Sequence, residues 1–146
     1  MEYRTGSIGR VVVARFSDGD DLLEGLREIA KKENIKSAFF SIVGGLKGGE
    51  FVVGPQDEEE RPPRPEWRKL HESHEVFGFG TIFWEEEEPR VHFHGAYGKR
   101  DNVRVGCLRK GSETFLILEV VIVEIKGINA ERKADPETGL PLLRFF

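Results

Sequence analysis

The stretch Val91-His92-Phe93-His94-Gly95-Ala96 has a period of two. Along an extended strand successive side chains point to opposite faces, so His92 and His94 share one face while Val91 and Phe93 share the other. The two histidine Cβ atoms then lie about 6 to 7 Å apart, twice the strand rise of about 3.3 Å, and their ring nitrogens can tip toward one ion. After the turn Gly98-Lys99-Arg100-Asp101-Asn102, the run Val103-Arg104-Val105-Gly106-Cys107-Leu108 can fold back beside the first strand and brings the only cysteine with it. A bare His-x-His is more often a packing or hydrogen-bonding feature of a sheet than a metal site. Cys107 adds a third, ionisable donor from the neighbouring strand and makes an open three-ligand site for zinc or another divalent transition metal, with water or substrate in the fourth position. Gly95 and Gly106 are read as leaving room for the ion. Because the imidazoles must be neutral and the thiol ionised, such a site loses metal as pH falls.

On the N-terminal side, Ile8 to Phe16 is rich in β-branched residues and reads as a strand. A helix follows it, with Ser17 as the expected N-cap, Asp18, Asp20 and Asp21 at the positive end of the dipole, and Leu22, Leu23, Leu26, Ile29 and Ala30 on one apolar face. It ends near Glu33-Asn34. Ile35 to Val43 reads as a strand, Gly44-Gly45 as a break and Leu46 to Gly54 as another strand, so the order opens β-α-β-β. Prolines and acids from Pro55 to Pro65 exclude regular structure and make an exposed loop. Trp67 to Glu72 and Glu75 to Trp84 are two more strands, Gly78 and Gly80 marking close contacts in the second.

On the C-terminal side, Thr114 to Ile125 is apolar on both faces over much of its length, and such a strand must be covered on both. Either it lies beneath the helix or its outer face meets another subunit, and a homo-oligomer is expected. The tail holds a turn, Asp135-Pro136-Glu137-Thr138-Gly139, and ends in Leu142, Leu143, Phe145 and Phe146, which are too apolar to be left in water and are expected to dock.

The 146 residues, 1–146, suit one domain with its own core. The single cysteine excludes an internal disulfide, and no basic-then-apolar leader and no long apolar run is present, so a cytoplasmic protein without a membrane segment is expected. A net charge of -4 with acids and bases intermixed is a poor footprint for gripping phosphates, so direct binding to DNA is expected to be weak and without sequence preference. Scarce Met, Cys, Gln and Asn beside abundant Glu, Lys and Arg resemble the composition of a thermophile. The glycines form no nucleotide fingerprint, and there is no P-loop, no Ser-His-Asp order and no activated-nucleophile motif, so any enzymatic reading rests on the metal.

Several stretches taken together resemble the plants-and-prokaryotes-conserved (PPC) domain, which in plants follows AT-hook DNA-binding motifs. They are the opening strand and helix through Leu26, the Gly44-Gly45 turn, Glu75-Val76-Phe77-Gly78-Phe79-Gly80-Thr81-Ile82, His92-Phe93-His94, Gly106-Cys107-Leu108, and Asp135 to Leu140. The resemblance implies an α+β domain with a mainly antiparallel or mixed sheet, one long helix packed on it, and homotrimeric assembly. It also implies a DNA-associated or regulatory role that works through oligomerisation and partner binding. Two departures matter. There is no Arg-Gly-Arg-Pro hook here, and Cys107 stands where many prokaryotic relatives have His, which either keeps the metal site as a His2Cys variant or abolishes it. His71, His74 and Glu75 precede the Phe77 strand and are further candidates for the neighbourhood of the site, Glu75 matching an acidic position of the family. The main expectation is a trimeric regulatory binding module; the alternative is a metal-dependent enzyme or sensor for a small ligand, built on His92, His94 and Cys107.

Overall fold

The computed structural model describes residues 1–146. Strand β1 (Ser7–Ser17) leads to helix α1 (Leu22–Lys32), and nine strands follow: β2 (Ser37–Leu46), β3 (Gly49–Pro55), β4 (Pro65–Leu70), β5 (His74–Glu85), β6 (Glu88–Lys99), β7 (Asn102–Lys110), β8 (Thr114–Lys126), β9 (Ala130–Ala134) and β10 (Pro141–Phe145). Eight of them form one sheet in the order β1-β8-β2-β5-β6-β7-β3-β4, and β9 and β10 form a separate hairpin. Every pairing is antiparallel. Since β1 and β2 both run antiparallel to β8, they are parallel to one another, and α1 is the crossover that such a connection needs.

The helix is shorter than expected, 11 residues, and it begins later. Ser17 ends β1, and the turn Asp18-Gly19-Asp20 separates it from the true N-cap, Asp21, whose carboxylate accepts the Glu24 N–H at 2.9 Å. Asp21 also accepts the Ser112 hydroxyl at 2.7 Å, and Ser112 Oγ in turn accepts the Leu23 N–H, so the cap ties the helix start to the β7–β8 turn. Local propensity marks several acids as possible caps here, and this tertiary contact selects one.

Leu22, Leu23, Leu26 and Ala30 are the buried stripe of α1. They join one core cluster that runs from Phe16 of β1 through Phe40, Phe93 and Tyr97 to Leu70 of β4. At about 4.8 Å per strand a flat eight-stranded sheet would hold those edge residues more than 30 Å apart, so the sheet curls around its contents. Full burial of side chains such as Leu22, Leu26 and Phe93 contributes about 1.5 to 3 kcal/mol each. Close packing also explains the glycines of β5: a Cβ on Gly78 would sit 2.3 Å from the Phe93 ring. Gly44-Gly45 does not break the chain as expected. It is a register shift inside β2 against β8, and the turn falls after Leu46.

The outer face of the same sheet is apolar but open. Registers place Val13, Val121, Ser41 and Phe79 in one row across β1, β8, β2 and β5, and Val43, Phe77, Ala96 and Val105 in the next. Phe77 is 66% exposed and Phe79 54%. Strand β8 is therefore covered on one side only within the chain, with Leu118, Val120 and Ile122 buried and Val121 exposed. The C-terminal hairpin packs against β5, and its Arg132 reaches Thr81, yet Phe146 remains exposed, so the tail docks through β9 rather than through its last residue.

Candidate metal centre

Strand β6 presents His92 and His94 on the outer face, as period two requires, while Phe93 is fully buried on the inner one. The β6–β7 register sets Cys107 directly opposite His94. That is also the last pair of this ladder: beyond it β7 pairs with β3, and β6 continues toward Glu88 paired only with β5. The two strands part at His94–Cys107, and the site opens in the wedge between them.

His92 Nε2 and His94 Nε2 are 3.0 Å apart, and the donor atoms of His92, His94 and Cys107 all lie within 4.8 Å of one another. An ion with bonds of roughly 2.0 to 2.3 Å in tetrahedral geometry holds its ligands about 3.3 to 3.7 Å apart, so modest side-chain rotation converges the three. Two imidazole nitrogens and a sulfur are a donor set suited to zinc and similar borderline metals. Among the four histidines, these two are the ones whose ring nitrogens face each other. His92 is exposed over its surface as a whole, but crowding around its ring and, next, the positive charges of Arg132, His94 and Arg109 hold its pKa down at about 4. The ring is therefore neutral, with a lone pair to give, at physiological pH.

Arginines surround the donors. Arg109 Nε donates to Cys107 Sγ at 3.1 Å. Arg132, brought in by β9, donates to Thr81 Oγ1 at 3.2 Å and lies 3.4 Å from His92 Nδ1. Burial pushes the Arg132 guanidinium below its ordinary pKa. A cavity of about 250 Å³ beside the cluster is closed by Leu23 and Arg27 of α1 on one side and by Leu140, Pro141 and Leu142 on the other.

The other expected neighbours lie elsewhere. Glu75 pairs with Gly98, four residues along β6 from His94, about 13 Å at strand rise, and it is exposed. His74 is buried at the same far end, with Nδ1 2.7 Å from the Glu72 carbonyl and Nε2 3.3 Å from an Arg104 nitrogen, so both its nitrogens are occupied. His71 is exposed and outside the cluster. Gly95 and Gly106 make room for the core instead of the ion, since a Cβ at Gly95 would meet Tyr97 at 2.9 Å and one at Gly106 would meet Phe51 at 2.6 Å. Of the residues that sequence reasoning passed over, Arg109 was within reach, being two positions from Cys107 and so on its face. Arg132 is forty residues from His92, and no local pattern places it there.

The family model of the Plants and Prokaryotes Conserved (PCC) domain matches residues 3–126. No curated protein matches the chain. Among solved structures, a plant- and prokaryote-conserved (PPC) protein from Pyrococcus horikoshii is 28% identical, with 100% of this chain and 99% of that one covered and a TM-score of 0.85. A metal-containing protein from Archaeoglobus fulgidus is similar at 24% identity, 99% coverage of both chains and a TM-score of 0.85. A Ralstonia eutropha JMP134 protein proposed to bind DNA is similar at 23% identity over 92% of this chain and 90% of that one, with a TM-score of 0.77. With a family model spanning the sheet, the helix and the histidine strand alike, this chain belongs to the Plants and Prokaryotes Conserved domain family.

Proposed function

We propose that the chain, folded as one domain, is a self-associating small-ligand-binding module whose sheet holds a divalent transition metal at His92, His94 and Cys107. The observation that carries the metal is the convergence of three donor atoms within 4.8 Å, two of them nitrogens 3.0 Å apart, at the mouth of a cavity. The residues fit such an ion in number, softness and spacing, and three protein ligands leave a position for water or a ligand. When bound, the ion supplies a Lewis acid at that position. Arg109 and Arg132 hold the Cys107 and His92 side chains by their contacts. Elemental analysis of protein purified without added metal is expected to give near-stoichiometric zinc or a similar metal. Absence of metal, together with no uptake of added Zn²⁺ by the native protein, would refute the proposal.

Self-association is supported by the open apolar rows of β1, β8, β2 and β5, which one helix on the opposite face cannot cover. A second copy of this chain is the occupant we assign to them, and a homotrimer is the assembly that the resemblance implies. His94 continues the row of Phe79, so assembly on this face approaches the metal centre. A regulatory, DNA-associated role is the second reading; at a net charge of -4 it runs through a partner rather than through direct contact, and tight sequence-selective binding of duplex DNA by the isolated chain at physiological salt would overturn that. No helix is long and apolar enough to cross a membrane. A reducing cytoplasm is the compartment that would keep the Cys107 thiol available.

A further inference from the structure

Arg27, Arg90, Arg109 and Arg132 all line the cavity beside His92, and no carboxylate does. Arg27 pairs with Glu24, and Arg90 pairs with Glu85. Arg109 and Arg132 have no such partner: their contacts are Cys107 Sγ for the first, and Thr81 Oγ1, the Pro141 carbonyl and His92 for the second. Two guanidinium groups without an acid partner in one partly closed cavity leave N–H donors that a single oxyanion can take from both.

A second cavity, of about 450 Å³, adjoins the first, with Arg109 and Leu140 belonging to the walls of both. Its character differs. Trp67, Pro63 and Pro65 give it flat apolar walls, and Trp67 is 38% exposed. Glu58 and Arg61 also line this second cavity, so its charge is mixed, and the Lys110 ammonium lies 5.0 Å over the Trp67 ring.

We propose that the two cavities form one binding site for a small organic oxyanion, its carboxylate or phosphate held between Arg109 and Arg132 and its flat apolar body lying against Trp67. The proposal rests on the same pocket as the metal reading and sets the oxyanion beside the ion's open position. The arginines and the indole do not depend on the ion, so binding is expected in metal-free protein too.

The test uses the full chain after chelator treatment. Benzoate and phenyl phosphate serve as probes with a body, acetate and inorganic phosphate as probes without one, and calorimetry reads the isotherms. The protein has two tryptophans, and Trp84 donates its indole N–H to the Ile35 carbonyl away from both cavities. Trp84→Phe therefore leaves Trp67 as a fluorescent reporter of the same titration. Saturable binding of one probe per chain is expected, with the aromatic probes tighter than their headgroups by roughly two- to tenfold. Arg132→Gln and Arg109→Gln should each weaken binding by roughly ten- to a hundredfold, the loss that follows from removing a charged hydrogen-bond donor. Trp67→Ala should remove the preference for aromatic probes and leave inorganic phosphate binding in place. The proposal is overturned if wild-type protein binds none of the probes at millimolar concentration, if both glutamine variants keep native circular dichroism and wild-type affinity, or if phenyl phosphate and phosphate bind alike. The two readings fail separately: probe binding by a protein that takes up no metal sinks the metal centre alone, and metal uptake without probe binding sinks this inference alone.

Discussion

The two faces of the sheet are built from similar residues and have opposite fates. On the inner face Phe40, Phe93, Tyr97, Val120 and Ile122 are closed in by α1 and by the curl of the sheet, and the one histidine there, His74, has both nitrogens engaged. On the outer face Phe77, Phe79, Val121 and Val105 are as apolar but open, and the two histidines there face each other beside a thiol. Burial therefore does not follow from hydrophobicity alone. A face closed by its own chain spends its polar groups on internal hydrogen bonds, whereas an open face keeps donor atoms and apolar surface for something outside the chain.

The largest expected effect separates neighbours on β8. Ile122→Asp places an unpaired charge in the core and should leave the protein unfolded, by several kcal/mol. Val121→Asp, one residue away on the open face, should keep a native circular dichroism spectrum and abolish self-association in light scattering. Equal unfolding of both variants would erase the distinction between the faces.

A smaller effect should divide the histidines. His94→Ala removes one of the three proposed ligands and is expected to lower metal affinity by more than about a hundredfold, beyond the usual cost of losing a group that only supports a ligand, while leaving the melting temperature of metal-free protein nearly unchanged. His74→Ala should do the reverse. It strips two hydrogen bonds from a buried site, costing about 1 to 3 kcal/mol, or several degrees of melting temperature, with metal content intact. Loss of metal in the His74 variant would move the site to the wrong end of β5.

The smallest effect lies at the rim of the inner face. Arg10 forks onto Glu124 with its Nε at 3.0 Å and an Nη at 3.1 Å, and its backbone N–H adds a third bond at 3.1 Å. These bonds, the side-chain ones first, lower the Glu124 pKa from 4.5 to about 2. A carboxylate whose pKa is depressed in the folded state stabilises fully above its unfolded value and loses that contribution as pH falls through the folded one. Stability should thus decline between about pH 4.5 and 2 in part because of Glu124, and Glu124→Gln should flatten that part of the melting-temperature profile. An unchanged acid limb in the variant would assign it to other carboxylates.

Much of the architecture is legible in the sequence. Period two in β6 put His92 and His94 together and Phe93 opposite, the stripe Leu22, Leu23, Leu26 and Ala30 marked the inner face of α1, and the prolines from Pro55 to Pro65 marked the loop between β3 and β4. The misreadings share a cause. Ser17 and Asp21 are both competent caps, and Ser112, ninety-one residues from Asp21, decides between them. Gly44-Gly45 has the composition of a turn, yet pairing with β8 on one side and β5 on the other holds it in a strand.

The sequence by itself determined what is set within a few residues of chain: which side chains share a face, that one amphipathic helix follows the first strand, and that a thiol follows the two histidines across one short turn. Steric alternation and helical pitch are local, so they survive without a tertiary context. Only the folded structure decided that Cys107 stands opposite His94, that β6 and β7 part at that pair to open a cavity, that Arg132 arrives there from the hairpin, and that one apolar face is closed while the other is not. Those are matters of register and packing between segments far apart in sequence, and the free energy that selects them belongs to the assembled core as a whole rather than to any stretch that could be read alone.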